Sequence, residues 1–124
     1  MERAARVVYA LFGVLTVGLG LTALVWPSPA LPPEAYSPLT AHLVREQGAE
    51  GVFLGLMAFW CLAHFDQRRP VHLALIVFAA LFAGIHWMEF FAARRPLASP
   101  LLNSIPLLAF LLTAPYSRPK TRAL

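Results

Sequence analysis

Two long apolar runs separated by five residues constrain this chain more than any other feature. Residues 49–65 (AEGVFLGLMAFWCLAHF) and 71–93 (VHLALIVFAALFAGIHWMEFFAA) are each long enough, as helices, to cross or nearly cross the roughly 30 Å hydrocarbon layer of a bilayer. Between them DQRRP is a short charged turn. In two antiparallel helices, residues at equal distances from the turn lie at equal depth. With the turn centred on Arg68, Glu50 falls level with His86 and His64 level with His72. Both polar pairs are then expected to face across the hairpin, at its opposite ends.

Two further runs flank this hairpin. Residues 7–26 (VVYALFGVLTVGLGLTALVW) follow Arg3 and Arg6 and end on Trp26 and Pro27. A secretory signal has an apolar core of about 7–15 residues and a small-residue cleavage site. This run is longer and no such site follows, so an uncleaved first span is predicted. The fourth run, about residues 100–116, contains Pro106, which should kink it or break its first turn. Asn103 and Ser104 precede that proline and are expected to satisfy the backbone groups it frees.

Residues 27–38 (PSPALPPEAYSP) hold five prolines and cannot form a regular helix. Ser37-Pro38 reads as an N-cap and a first-turn proline opening a new helix at about Leu39. The stretch LTAHLVREQ is polar enough for a membrane interface, either as a separate short helix or as the first turns of the second span. The tail SRPKTRAL is basic and reads as disordered.

With 59% hydrophobic and only 13% charged residues in 124, the chain departs from ordinary soluble composition. The fold class predicted is an all-α, single-domain, four-helix transmembrane bundle with spans at about 7–26, 49–65, 71–93 and 100–116. Arg3, Arg6, Arg68, Arg69, Arg118, Lys120 and Arg122 fall on one side, against Arg45, Arg94 and Arg95 on the other. By the positive-inside rule both termini are cytoplasmic and the proline-rich loop is outside. The net charge of +4 comes from span ends rather than a basic stripe, so nucleic acid is not an expected partner.

Small residues mark the expected helix contacts. Gly51 and Gly55 form a GxxxG, Ala58 continues its face, and Gly13, Gly18 and Gly20 allow close approach in the first span. This makes a homo-oligomer or a larger membrane complex plausible.

Chemistry concentrates at the outer end. Glu50, His86, Glu89 and Asn103 are expected to gather there, with Trp87 beside them as a pocket wall. Glu89 lies three residues past His86, on the same side of its helix. Ionisable groups within a span are costly and usually partnered. Such a cluster could glue helices together, hold the head of a lipid or quinone, or relay a proton. His64 and His72 invite a haem reading, but adjacent helices of a hairpin leave little room for a porphyrin, and the Asp66 neighbourhood reads as a solvated helix end. No metal site, resident cofactor or Ser-His-Asp, P-loop or Rossmann pattern is predicted. Cys61 is alone and cannot form an internal disulfide.

The order of parts resembles the DoxX-like group of small four-helix bacterial membrane proteins. The likeness rests on Arg6 before a glycine-rich first span, the proline break after Trp26, and Glu50-Gly51 with Gly55 opening span two. It implies a multi-pass protein of the bacterial inner membrane, and some members of that group are tied to thiol redox or quinone-linked oxidation complexes. A dithiol role would need a second cysteine, which this chain lacks. The function expected is therefore a non-catalytic scaffold or lipid-like ligand binder using the Glu/His cluster. The alternative is a small enzyme or redox-complex subunit acting on a quinone or lipid.

Overall fold

The computed structural model describes residues 2–114. These residues form four helices and no strand: α1 (Glu2–Val25), α2 (Pro38–Ala63), α3 (Arg69–Phe91) and α4 (Ala98–Leu112). The last positions of the fourth run and the basic tail lie outside the described residues.

Local signals set the helix ends. Ser37 caps α2, its hydroxyl accepting from the Thr40 N–H at 3.1 Å while the Thr40 hydroxyl accepts from the Ser37 N–H at 2.8 Å. From there α2 runs unbroken for 26 residues, so LTAHLVREQ is its first turns and not a separate helix. The proline-rich segment holds two single 3-10 turns, Ser28–Ala30 and Pro33–Ala35. At the end of α3 the Arg94 N–H bonds the Glu89 carbonyl and the Ala93 N–H bonds that of Phe90. This double bond pattern is a Schellman turn, and it sets Ala93 at φ 54, the left-handed region that glycine usually occupies. In α4, Asn103 and Ser104 donate to the carbonyls of Ser99 and Pro100. They do not reach Leu102, the carbonyl four residues before Pro106.

The helices associate as two pairs, α1 on α2 and α3 on α4. In the first pair the contact is a seam of small residues. A methyl group at Gly20 would lie 2.5 Å from the Gly48 carbonyl, and one at Gly48 would lie 2.7 Å from the Gly20 carbonyl. A methyl at Gly55 would meet the Gly13 carbonyl at 2.9 Å, and one at Gly51 the Thr16 carbonyl at 3.3 Å. The backbones thus nearly touch at two levels seven residues apart on each helix. Gly18 faces open space and takes no part in this seam.

The pairs meet chiefly at one end, where α1 and α3 begin and α2 and α4 finish. There Ala5, Tyr9, Ala58, Cys61, Phe65, Leu75, Ala79 and Phe110 form a continuous core. Away from that end α2 and α3 share few contacts, although a short turn joins them. An apolar cleft of about 400 Å³ separates Phe53, Leu54 and Met57 from Val71, Ala74 and Phe78.

Outside that core the buried positions are mostly small. Positions buried on α2 are Ala41, Gly48, Gly55, Ala58 and Cys61, all small. Large apolar side chains point outward on every helix: Leu19 is 70% exposed, Phe53 59%, Leu81 66% and Leu112 76%. Two helices, α1 and α3, are long and apolar enough to cross a membrane. The polar first half of α2 and the 15 residues of α4 leave those two outside that description.

Candidate functional site

Two groups of polar side chains bear on function, one at the closed end of the bundle and one where α2 and α3 diverge.

At the closed end His72 is fully buried. Its Nε2 lies 3.0 Å from the Phe110 carbonyl on α4, and its Nδ1 lies 2.5 Å from the Tyr9 hydroxyl on α1. A carbonyl only accepts, so Nε2 carries the proton and donates. In the neutral imidazole Nδ1 then accepts from the Tyr9 O–H. One side chain of α3 therefore ties α1 to α4. The rings of Tyr9, Phe12, Phe65 and Phe110 pack edge-on or tilted around this network. Cys61 is buried beside it. His64, by contrast, is exposed and stacks on Trp60 with ring centres 4.7 Å apart. The two histidines expected at one level thus have different surroundings, one internal and one on the surface. The level argument ranks them together because it ignores which way each side chain turns. A tyrosine one turn after Arg6 in an otherwise apolar span was the available sign of a buried partner for His72.

At the open end the five expected site residues fall into three groups. Glu50 is exposed on α2, and its carboxylate makes no hydrogen bond or ion pair among the described residues. His86 donates from Nδ1 to the Phe82 carbonyl at 2.9 Å, so its Nε2 is a free acceptor. No bond joins Glu50 to His86, because α2 and α3 have separated at that level. Glu89 is turned away from His86 to Arg95, with Oε2 3.1 Å from the guanidinium Nε. The Schellman turn causes this, since it folds Arg94 and Arg95 back over the last turn of α3. Trp87 and the start of α4 form the third group. The indole N–H donates to the Ser104 hydroxyl at 3.1 Å, which donates in turn to the Pro100 carbonyl at 2.7 Å. Asn103 is occupied through Nδ2 with the Ser99 carbonyl, leaving its oxygen open.

The cleft connects Glu50 and His86 indirectly. Glu50 lies one turn beyond Phe53 and Leu54 on the same face of α2. On α3 the rings of Phe78, Phe82 and His86 form a ladder, with centres 5.9 and 4.6 Å apart. Both walls of the apolar cleft thus lead, away from the turn, to a side chain with an open acceptor, the Glu50 carboxylate or His86 Nε2. Among the described residues no group of three metal-ligating side chains exists.

Compared with models of known protein families, with curated proteins and with solved structures, the chain matches none.

Proposed function

We propose that this chain is a small multi-pass protein of the bacterial inner membrane whose four helices span the bilayer as a bundle with both termini on the cytoplasmic side. Its role is to hold a lipid-like molecule rather than to catalyse. The tail occupies the cleft between α2 and α3, and the head lies toward Glu50 and His86 near the outer leaflet. The membrane reading is supported by large apolar side chains exposed on every helix and by the glycine seam between α1 and α2, an arrangement suited to a hydrocarbon solvent. A water-soluble monomer rarely exposes apolar patches beyond a few hundred Å².

The observation that carries the ligand reading is the apolar cleft whose two walls each continue to a free acceptor. If Glu50 and His86 were helix glue they would bond to each other or to a neighbouring helix. Because both accept, the head group carries donors, such as hydroxyls or an amine. A quinol meets the same requirement, and its flat ring suits the Phe78–Phe82–His86 ladder, which keeps a quinone-linked complex as the second reading.

The test is native mass spectrometry of protein extracted in mild detergent, with wild type beside Ala74→Phe and Glu50→Gln. Ala74 lines the cleft and is solvent-facing, so a phenylalanine fills the space without entering the core. A bound small molecule in wild type, absent from Ala74→Phe and weakened in Glu50→Gln, is the expected result. A bare chain in all three samples would sink the proposal.

A further inference from the structure

Phe65, between α2 and α3, is only 6% exposed although it stands at the rim of the bundle. Two guanidinium groups lie over it. The Arg68 carbon is 3.5 Å from the ring centre and the Arg6 carbon 4.1 Å, one from the turn and one from α1. Cation–π attraction accounts for each contact separately. It does not account for two cations over one ring with no counter-ion. Neither arginine forms an ion pair among the described residues; those residues hold two such pairs, His42–Glu46 and Arg95–Glu89. Asp66, in the same turn, does not neutralise them.

Arg68 is also incompletely used. One terminal nitrogen donates to the Phe65 carbonyl, while Nε is buried and meets no partner. Two guanidinium groups gathered on one ring, neither in an ion pair among the described residues, are suited to an oxyanion that accepts charge-assisted hydrogen bonds from their remaining donors. Apolar surface adjoins it directly. Val7 and Leu11, 55% and 59% exposed, continue along α1 from Arg6, and Leu73 and Val77 are exposed on α3 beyond Arg69.

We propose that Arg6 and Arg68 form a binding site for the phosphate of an anionic phospholipid, with the acyl chains lying along the exposed faces of α1 and α3. The inference rests on the membrane reading, which puts this end at the cytoplasmic leaflet. Basic pockets between helices on that side are suited to anionic head groups. Neither arginine lines the α2–α3 cleft.

The full chain in mild detergent is heated with added phosphatidylglycerol, phosphatidylcholine or inorganic phosphate, and the unfolding midpoint is followed. Phosphatidylglycerol is expected to raise the midpoint saturably and phosphatidylcholine to leave it unchanged. Arg6→Gln and Arg68→Gln should each raise the half-saturating phosphatidylglycerol concentration by about tenfold, the loss of one charge-assisted hydrogen bond. Arg94→Gln, at the other end, should not move it. Arg68→Gln uncovers Phe65 and can cost helix content, so Arg6→Gln, at an exposed position, is the decisive variant. An equal response to both lipids, or an unshifted response in a folded Arg6→Gln, overturns the proposal. Inorganic phosphate matching phosphatidylglycerol overturns the lipid assignment in favour of a free anion. Failure of the membrane reading is seen separately, as a chain that floats with vesicles of neither composition.

Discussion

The Tyr9 hydroxyl on α1 donates to His72 Nδ1 on α3, and through His72 Nε2 the bond continues to the Phe110 carbonyl on α4. It is the buried polar link between the α1–α2 pair and the α3–α4 pair. Tyr9→Phe keeps the ring packing and removes the donor, leaving a buried imidazole nitrogen unmet. The expected cost is about 1–3 kcal/mol of stability, read from unfolding in mixed detergent. His72→Leu removes both bonds. Because the two residues act through one contact, the double variant should lose clearly less than the two single losses combined. Full additivity would show that the bond contributes nothing.

The glycine seam gives a sharper contrast. Gly20→Ala drives a methyl group into the Gly48 carbonyl, and backbone cannot swing aside. Forced separation of α1 and α2 should cost about 1–3 kcal/mol. Gly18→Ala, two residues away and facing open space, should be neutral or stabilising by up to about 1 kcal/mol through helix propensity. Similar effects from the two substitutions would mean that the helices do not pack along this seam.

Glu50 and Glu89 should also part company. Glu50→Gln removes no bond and should leave stability within about 0.5 kcal/mol of wild type. Glu89→Gln removes an exposed ion pair with Arg95 and should cost up to about 1 kcal/mol, less as salt is raised. A large destabilisation by Glu50→Gln would put its carboxylate in a helix contact and remove it from the ligand site.

Ala93→Gly tests the turn that holds Arg95 over Glu89. A non-glycine residue in the left-handed region carries a penalty of about 1–2 kcal/mol. Glycine should recover part of it, raising the unfolding midpoint, whereas Ala92→Gly, at φ −80, should lower it.

Much of the candidate site could be placed by position but not by partner. His86, Trp87 and Glu89 fall in the last turns of α3, where counting along the helix puts them, whereas Glu50 falls at the middle of α2, which begins at Pro38. Their bonds depend on side-chain direction and on turns such as that at Ala93, which counting does not describe. Gly48 was missed for a related reason. The GxxxG of Gly51 and Gly55 drew attention to a four-residue spacing, whereas the seam uses a seven-residue one, Gly13 with Gly20 against Gly55 with Gly48. That signal was present, but it required comparing two helices instead of reading one.

Sequence alone determined the all-helical architecture, the breaks at Pro27 and near Arg68, the cap at Ser37 and the apolar character of α1 and α3, because each depends on residues adjacent along the chain. Tertiary structure decided which helix lies against which. Hairpin neighbours α2 and α3 share few contacts, and a cleft lies between Phe53, Leu54 and Met57 on one and Val71, Ala74 and Phe78 on the other. Glycines on α1 and α2 let those backbones meet instead, and dispersion forces favour the closer contact. That choice opened the cleft, parted Glu50 from His86, and drew His72 into the core with Tyr9.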